Sequence, residues 1–404
     1  MISVEDARKR ILKAVAVLPA EQAPLARALG RVLAEDVVAQ VTQPPAAVSA
    51  MDGYAVREAD LAEVPASLRV VGKAPAGAAF KGKLGKGEAV RIFTGAPVPD
   101  GADSIVIQED TEARGKAVLV KEAPRRGQFV RPAGLDFKAG DVGVKAGRRL
   151  TARDVGLAAA MNVPWLKVHR RPRVAILSTG DELVMPGEPI GPSQIVCSNG
   201  ISLSALVEAC GGEAIDLGIV RDDRKALAAM ARGARGADFL VTTGGASVGE
   251  HDLVREVLGK EGLRVDFWKI AMRPGKPLIF GSIAGTPMLG LPGNPVSTLV
   301  CALIYLKPAL ERMQGLDPTA APAPTALLST PLGANDRRQD YLRAALKRRK
   351  DGALLAAPFA KQDSSMLATL AHADCLVVRP PNAPPAKAGE RVEIVPFPTG
   401  PAGI

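Results

Sequence analysis

Apolar and polar positions along this chain follow two rhythms. Between about 30 and 150 the apolar runs are short (LRVVG, EAVRIFTG, DSIVIQED, KAVLVKE) and broken by Gly and Pro, which predicts an irregular β-rich region. From Arg173 the rhythm changes. RVAILS, AIDLGIV and DFLVTT read as strands, while NGISLSALVEACGG, RKALAAMARGA, DLVREVLGKEG and a last long PVSTLVCALIYLKPALERM read as helices. Strands alternating with helices predict a parallel, doubly wound α/β domain, whose ligands bind at the carboxyl ends of the strands.

Two further helices carry their own start signals. In residues 3–17 Ser3 and Asp6 have capping-box spacing, and Ile11, Leu12 and Val15 share a face. Thr151 and Asp154 repeat the signal before TARDVGLAAAMN, closing the N-terminal half. The Pro/Ala segment 318–326 marks a boundary. Beyond it DYLRAALKRRKDGALLAAPFA reads as a hairpin, and CLVVRPP and RVEIVPF as strands of a small all-β domain. The expected organisation is a helical and β-rich region over 1–168 with two subdomains, an α/β domain over 169–317 and a C-terminal β domain, barrel-like, over 318–404.

Composition narrows the function. The net charge is +10, which admits a nucleic-acid partner, but aromatic residues make up 3% and no basic run is interleaved with them. The densest basic run, KRRK at 347–350, precedes the turn dipeptide Asp351-Gly352 and reads as a solvated hairpin turn. A positive field equally suits an anionic small molecule. No apolar run is long enough to span a bilayer, and the opening residues carry no secretion or transit pattern, so no membrane partner is expected. Cys197, Cys210, Cys301 and Cys375 are far apart and lack CxxC spacing, which points to single buried thiols in a reducing cytoplasm. Three histidines leave little material for His-based chemistry.

The candidate chemistry sits at predicted strand ends. ILSTGDELV (176–184) puts Asp181 and Glu182 after a Thr-Gly turn, as surface residues at a helix start or as carboxylates for a metal or a proton. TTGGASVGEHD (242–252) combines Gly244, Gly245 and Gly249, which allow tight curvature, with Ser247, a donor to phosphate, and Asp252 at the next helix start. It reads as a phosphate or pterin-anion cradle, although a carboxylate at that position is also an ordinary cap. KIAMRPGKP (269–277) sets Lys269, Arg273 and Lys276 around a Pro-Gly turn, an arrangement a tetrahedral dianion needs. LPGNPVS (291–297) leads into a helix with Pro295 in the first turn.

In this order, STGDEL, TTGGASVGEHD, MRPGKP and LPGNPVS resemble the molybdopterin molybdenumtransferase family, of the MoeA and gephyrin E-domain type. SAMDGYAV (49–56), RIFTGAPVPDGADSIVIQED (91–110) and RPAGLDFKAGD (131–141) extend the likeness over nearly the whole chain. The resemblance implies a MogA/MoaB-like α/β domain. It also implies an enzyme that inserts molybdenum, taken from molybdate, into adenylylated molybdopterin, cleaving the pyrophosphate link with Mg²⁺ and releasing molybdenum cofactor and AMP.

By the same resemblance Glu182, Asp222 and Asp252 lie near nucleotide and metal, with Gly244, Gly245, Ser247 and Gly249 around the phosphates. Lys269, Arg273, Pro274 and Lys276 face the molybdate or terminal phosphate. Asn294 joins the substrate site, and Arg343 with Ser364 or Ser365 completes an oxyanion site from the C-terminal domain. Asp52, Thr94 and Asp136 belong to the other half of the chain, which in a homodimer closes the partner's cleft. A molybdopterin adenylyltransferase upstream and molybdoenzyme-side acceptors downstream are the implied protein partners. The competing expectations are that adenylyltransferase itself, normally the α/β domain alone, and a non-catalytic peptide-binding scaffold.

Overall fold

The structure, a computed structural model, describes residues 1–221, 236–244, 259, 262–319 and 322–397. The α/β domain is built on a sheet of six described strands. In chain order these are β1 (Arg173–Thr179), β2 (Glu213–Val220), β3 (Phe239–Thr243), β4 (Leu263–Trp268), β5 (Ile279–Ile283) and β6 (Thr286–Leu291); in space the order is β2-β1-β3-β6-β5-β4. The neighbours β2-β1-β3-β6 are parallel. Six successive residues of β1, Val174 to Thr179, are buried, as a central strand covered on both faces requires.

β5 and β4 add an antiparallel edge that helix–strand alternation does not foresee. β5 and β6 are joined by Ala284 and Gly285, both at positive φ, a two-residue turn of the primed kind. Alanine at the first of these positions is a poor turn signal, which is why the hairpin is hidden in the sequence. The expected helices RKALAAMARGA and DLVREVLGKEG lie outside the described residues, save Gly259 and Gly262.

Helix α1 (Val4–Ala14) is capped by Ser3, which accepts from the Asp6 N–H at 3.0 Å. Its buried face, Val4, Ala7 and Ile11, packs into the α/β core with Val174, Leu203 and Leu310, although more than a hundred residues separate it from that domain in sequence. Helix α2 (Ala152–Ala160) has the full Thr151/Asp154 capping box, and α3 (Asn199–Ala209) follows the β1 loop. The expected long last helix starts at Pro295 but is interrupted. Between α4 (Pro295–Cys301) and α5 (Lys307–Met313) lies a π-turn, Ala302–Leu306. Pro308 has no N–H and its ring would crowd the carbonyl four residues back; a wider turn relieves both.

Further apolar clusters serve the N-terminal region in two places. One joins Ala23, Leu33, Leu150, Leu166 and Val168, where strands Ala20–Pro24 and Trp165–His169 pair. The other surrounds a six-stranded sheet between residues 53 and 120 and contains Val56, Leu68, Val90 and Ile105.

At the C-terminal end, β7 (Thr325–Leu328), β8 (Gln339–Arg348), β9 (Leu354–Pro358), β10 (Cys375–Arg379) and β11 (Arg391–Pro396) pair in the cycle β8-β9-β7-β11-β10 and back to β8, closing a barrel. Of the KRRK run, Lys347 and Arg348 end β8, and Arg349 and Lys350 begin the β8–β9 turn. Tyr341, Leu376 and Val378 of the barrel enter the same core cluster as the α/β helices, so the two domains share apolar packing. All four cysteines are free and buried. Among the described residues no helix is long and apolar enough to cross a membrane.

Candidate active site

The carboxyl ends of β1 and β3, the β1–α3 loop and the start of α4 enclose a cleft of about 500 Å³, lined by Thr179, Glu182, Asn199, Gly244, Asn294 and Ser365 among others. Residues from four separated motifs therefore meet where a doubly wound sheet is expected to bind. Ser365 comes from the barrel side, so the cleft mouth is an interdomain feature.

Close backbone approach shapes its floor. Gly244 has φ +89°, and a Cβ there would lie 2.0 Å from the Thr179 carbonyl oxygen. Only glycine fits, and the ends of β1 and β3 are thereby pressed together. The Thr179 hydroxyl, in a residue 2% exposed, has no hydrogen-bond partner among the described residues. Glu182 is exposed, and its carboxylate folds back so that a Cβ on Gly180 would lie 2.6 Å from Oε2. No hydrogen bond or ion pair engages that carboxylate among the described residues.

Asn199 was not singled out by its sequence motif, yet it ties two walls together. Its Nδ2 donates to Thr243 Oγ1 at 3.0 Å and to the Gly293 carbonyl at 2.7 Å. An asparagine opening a helix after Cys197-Ser198 resembles any cap, so nothing local marks it. Asn294 Nδ2 donates to Ser364 Oγ at 2.9 Å, and the Val296 N–H donates to the Ser364 carbonyl at 3.1 Å. Pro295 stands in the first turn of α4, as its spacing predicts.

The cations differ from one another. Lys276 is exposed, and no hydrogen bond or ion pair holds its ammonium among the described residues. Lys269 is half-buried at φ +64°, with Nζ 3.8 Å from the centre of the Trp268 ring. Its carbonyl accepts from the Ile2 N–H, and the Ala271 N–H donates to the Ile2 carbonyl, so the chain start pins this loop. The Arg273–Pro274 peptide is cis.

Arg273 is paired with Asp340 and Asp336, and these contacts raise its pKa, the hydrogen bond it donates to Asp340 most of all. Arg343 departs from its expected place at an oxyanion. It is 1% exposed, and its guanidinium donates to Gln362 Oε1 and to the carbonyls of Asp363 and Met366. Desolvation lowers its pKa, and what it delivers to the cleft is a rigid loop carrying Ser364 and Ser365. Asp222, Gly245, Ser247, Gly249 and Asp252 lie outside the described residues.

Asp52, Thr94 and Asp136 do not line this cleft. Asp52 and Thr94 meet elsewhere: Asp52 Oδ1 accepts from the Thr94 N–H at 2.7 Å and the Thr94 hydroxyl at 2.8 Å. Those two bonds, the backbone one foremost, hold the Asp52 carboxyl below the usual range, with the nearby Arg91 charge helping. Gly95, next in chain, lines a second groove of about 610 Å³ together with Arg131 and Asp136. One chain thus presents two separate concavities, lined by different residues.

A doubly wound domain with a polar cleft at its strand ends, flanked by a β-rich half and a closed barrel, defines the class: a three-part α/β protein whose ligand site lies at the carboxyl ends of the sheet. Family models agree along the chain. Residues 2–162 match the MoeA N-terminal region (domain I and II), 175–312 a probable molybdopterin binding domain, and 325–397 the MoeA C-terminal region (domain IV).

A molybdopterin molybdenumtransferase of Haemophilus influenzae is 35% identical over 98% of this chain and 99% of its own; one of Nostoc sp. is 41% identical over 78% and 75%. Among solved structures, a molybdopterin biosynthesis MoeA protein from Pyrococcus horikosii is 34% identical, with a TM-score of 0.85 over 99% of this chain and 100% of its own. The chain belongs to the molybdopterin molybdenumtransferase family.

Proposed function

We propose that this chain is the enzyme that inserts molybdenum from molybdate into adenylylated molybdopterin, releasing molybdenum cofactor and AMP. The observation that carries the reading is the cleft itself, where Gly244, Asn294, Glu182 and a barrel serine converge at the strand ends. The tight Gly244 turn lets a phosphate approach main-chain N–H groups, and Asn294 with Ser364 or Ser365 contributes neutral donors beside it. Lys276, next in chain to the cleft-lining Pro277, is the exposed cation for the tetrahedral dianion, and Lys269 belongs to the same loop. Fixed donors in a partly dry cleft favour the charge that develops as the phosphoanhydride breaks, which a solvated lysine on a flat surface would not do.

Among the described residues no three His, Cys, Asp or Glu side chains gather to hold a metal; the exposed Glu182 carboxylate on this wall is an oxygen ligand of the kind Mg²⁺ takes. Mg²⁺ takes one or two protein carboxylates and completes its shell with phosphates and water, so Glu182 suffices as the described contribution, with Asp222 and Asp252 outside the described residues. When bound it neutralises charge on the leaving phosphate. For the chain's own part, Glu182 orients that oxygen shell, Asn199 fixes the spacing between the walls, and Gly244 holds the phosphates against the strand ends.

In the same reading Asp52, Thr94 and Asp136 act from the second subunit of a homodimer. That none of the three lines the strand-end cleft of its own chain supports this. The adenylyltransferase alternative is disfavoured by the β-rich half and the barrel, which an α/β module alone lacks. A pure peptide scaffold would need none of these polar walls. The deciding assay is turnover of adenylylated molybdopterin with and without molybdate, following AMP. Molybdate-dependent AMP release supports the reading. Formation of the adenylylated pterin from molybdopterin and ATP would overturn it.

A further inference from the structure

Asp52 and Thr94 stand just outside the ladder that carries them. The strands Gly53–Val56 and Glu88–Ile92 run antiparallel, with Gly53 opposite Ile92 and Tyr54 opposite Arg91. Asp52 precedes the first paired residue, and Thr94 follows beyond the last. Thr94 is exposed and Asp52 half-buried, so water competes for both bonds between them. Gly53 offers no side chain to steady this end: a Cβ there would lie 2.0 Å from the Val106 carbonyl oxygen.

Arg91 steadies it from the opposite strand. Its Nη1 donates to the Gly53 carbonyl at 3.2 Å and its Nη2 to Gln108 Oε1 at 2.8 Å. The Gln108 N–H in turn donates to the Asp52 carbonyl at 3.1 Å. One guanidinium therefore holds the carbonyl that follows Asp52 and the residue that binds Asp52's own carbonyl. Its Cζ lies 5.0 Å from the centre of the Tyr54 ring and 5.1 Å from that of Phe93, which also has Lys73 Nζ at 4.9 Å. Phe93 is next in chain to Thr94, so the same side chain reaches both partners of the pair.

We propose that Arg91 is a positioning residue, a brace that fixes the Asp52 carboxylate against the Thr94 N–H and hydroxyl. A guanidinium suits the task because its donors diverge to acceptors on two segments while its plane lies against aromatic rings. An ammonium is a compact point charge without that plane. The Arg91 charge itself is the lesser contribution: it helps hold the Asp52 carboxyl low, behind both bonds from Thr94. That the braced pair serves turnover from the second subunit rests on the proposed function; the brace does not.

Arg91→Lys, Arg91→Met and Gln108→Leu test this in the full-length protein, by carbon-detected NMR titration of Asp52 and by amide exchange at Thr94. Lysine keeps the charge and loses the fork, methionine loses both, and Gln108→Leu cuts one arm with Arg91 in place. For a brace, both Arg91 variants move the Asp52 titration up toward the ordinary carboxylate value and speed Thr94 exchange by roughly tenfold. Gln108→Leu gives a smaller change in the same direction; being exposed, it keeps the test decisive should an Arg91 variant fail to fold. Wild-type titration and exchange in Arg91→Lys, with Arg91→Met alone altered, would mean that only the charge matters. That result overturns the brace, as does no change in any variant.

The kinetic arm follows AMP release. Arg91→Lys lowers kcat by about tenfold and leaves KM for molybdate little changed, because the pair is misplaced and the anion's own contacts are intact. Subunit exchange with Lys269→Ala restores turnover, whereas exchange with Asp52→Ala does not, since both faults then fall on the same pair. Recovery with Asp52→Ala would place the effect of Arg91 elsewhere and overturn its positioning role. A wild type that releases no AMP sinks the proposed function instead, and titration and exchange then decide the brace alone.

Discussion

Gly244→Ala is the sharpest perturbation of the cleft, because two independent costs fall on one methyl group. The first is conformational: φ is +89°, a left-handed value that costs a non-glycine residue about 1–2 kcal/mol. The second is steric. The new Cβ would lie 2.0 Å from the Thr179 carbonyl oxygen, a backbone atom at the end of β1 that cannot rotate away. Relief requires the ends of β1 and β3 to part, an overpacking cost of about 1–3 kcal/mol. The expected total is about 2–5 kcal/mol.

Gly218→Ala serves as the control in the same sheet. Its φ is +78°, but nothing lies within 4 Å of the added carbon, so only the conformational cost of about 1–2 kcal/mol applies. The assay is urea unfolding of both variants beside the wild type, compared as midpoints of one transition at a common slope. AMP release is followed in parallel and should fall in Gly244→Ala alone. Equal midpoint losses would refute the reasoning, since they would mean that β1 and β3 are not in backbone contact at the cleft floor.

Three further outcomes are expected. Glu182→Ala should abolish molybdate-dependent AMP release while leaving the unfolding midpoint near wild type, since the residue is exposed; full activity in a folded variant would remove Glu182 from the metal reading. Asp52→Ala and Lys269→Ala, each inactive alone, should partly recover activity when subunits are exchanged, and no recovery after verified exchange counts against a shared site. Thr94→Val deletes the hydroxyl bond to Asp52 but keeps the backbone one, so the Asp52 carboxyl should titrate nearer the ordinary carboxylate value in a carbon-detected NMR titration. Because the folded-state pKa is depressed, the stability from this contact is present above the unfolded value of about 3.9 and is lost as pH falls through the lower folded one. An unmoved titration curve would show that the hydroxyl contributes nothing.

Much of the architecture was legible because its signals are local. The caps of Ser3 and Thr151, Pro295 opening α4 and the Asp351-Gly352 turn each depend on neighbours within a few residues. Where local signals were weak or misleading, the reading stopped short. Ala284 occupies a left-handed position that sequence assigns to Gly or Asn, which concealed the antiparallel β5–β6 hairpin. Pro308 inside an apolar run did not announce a π-turn, because the helix continues beyond it.

For the cleft, the sequence by itself determined which segments carry chemistry: glycines where a backbone must bend, carboxylates and cations where charge must be met. It did not determine what each charged group faces. Lys276 and Arg273 are three residues apart in one turn, yet one ammonium is open and the other cation is paired with Asp340 and Asp336, more than sixty residues away in sequence. Arg343 was expected at the cleft and instead braces a loop from inside the barrel. Helix α1 is read correctly as a helix, but its place in the α/β core is fixed by Val174, Leu203 and Leu310. Backbone conformation follows from near neighbours along the chain, so sequence reveals it. The partner of a charge, or of an apolar face, is whatever folding brings within a few ångströms, and only the tertiary structure decides that.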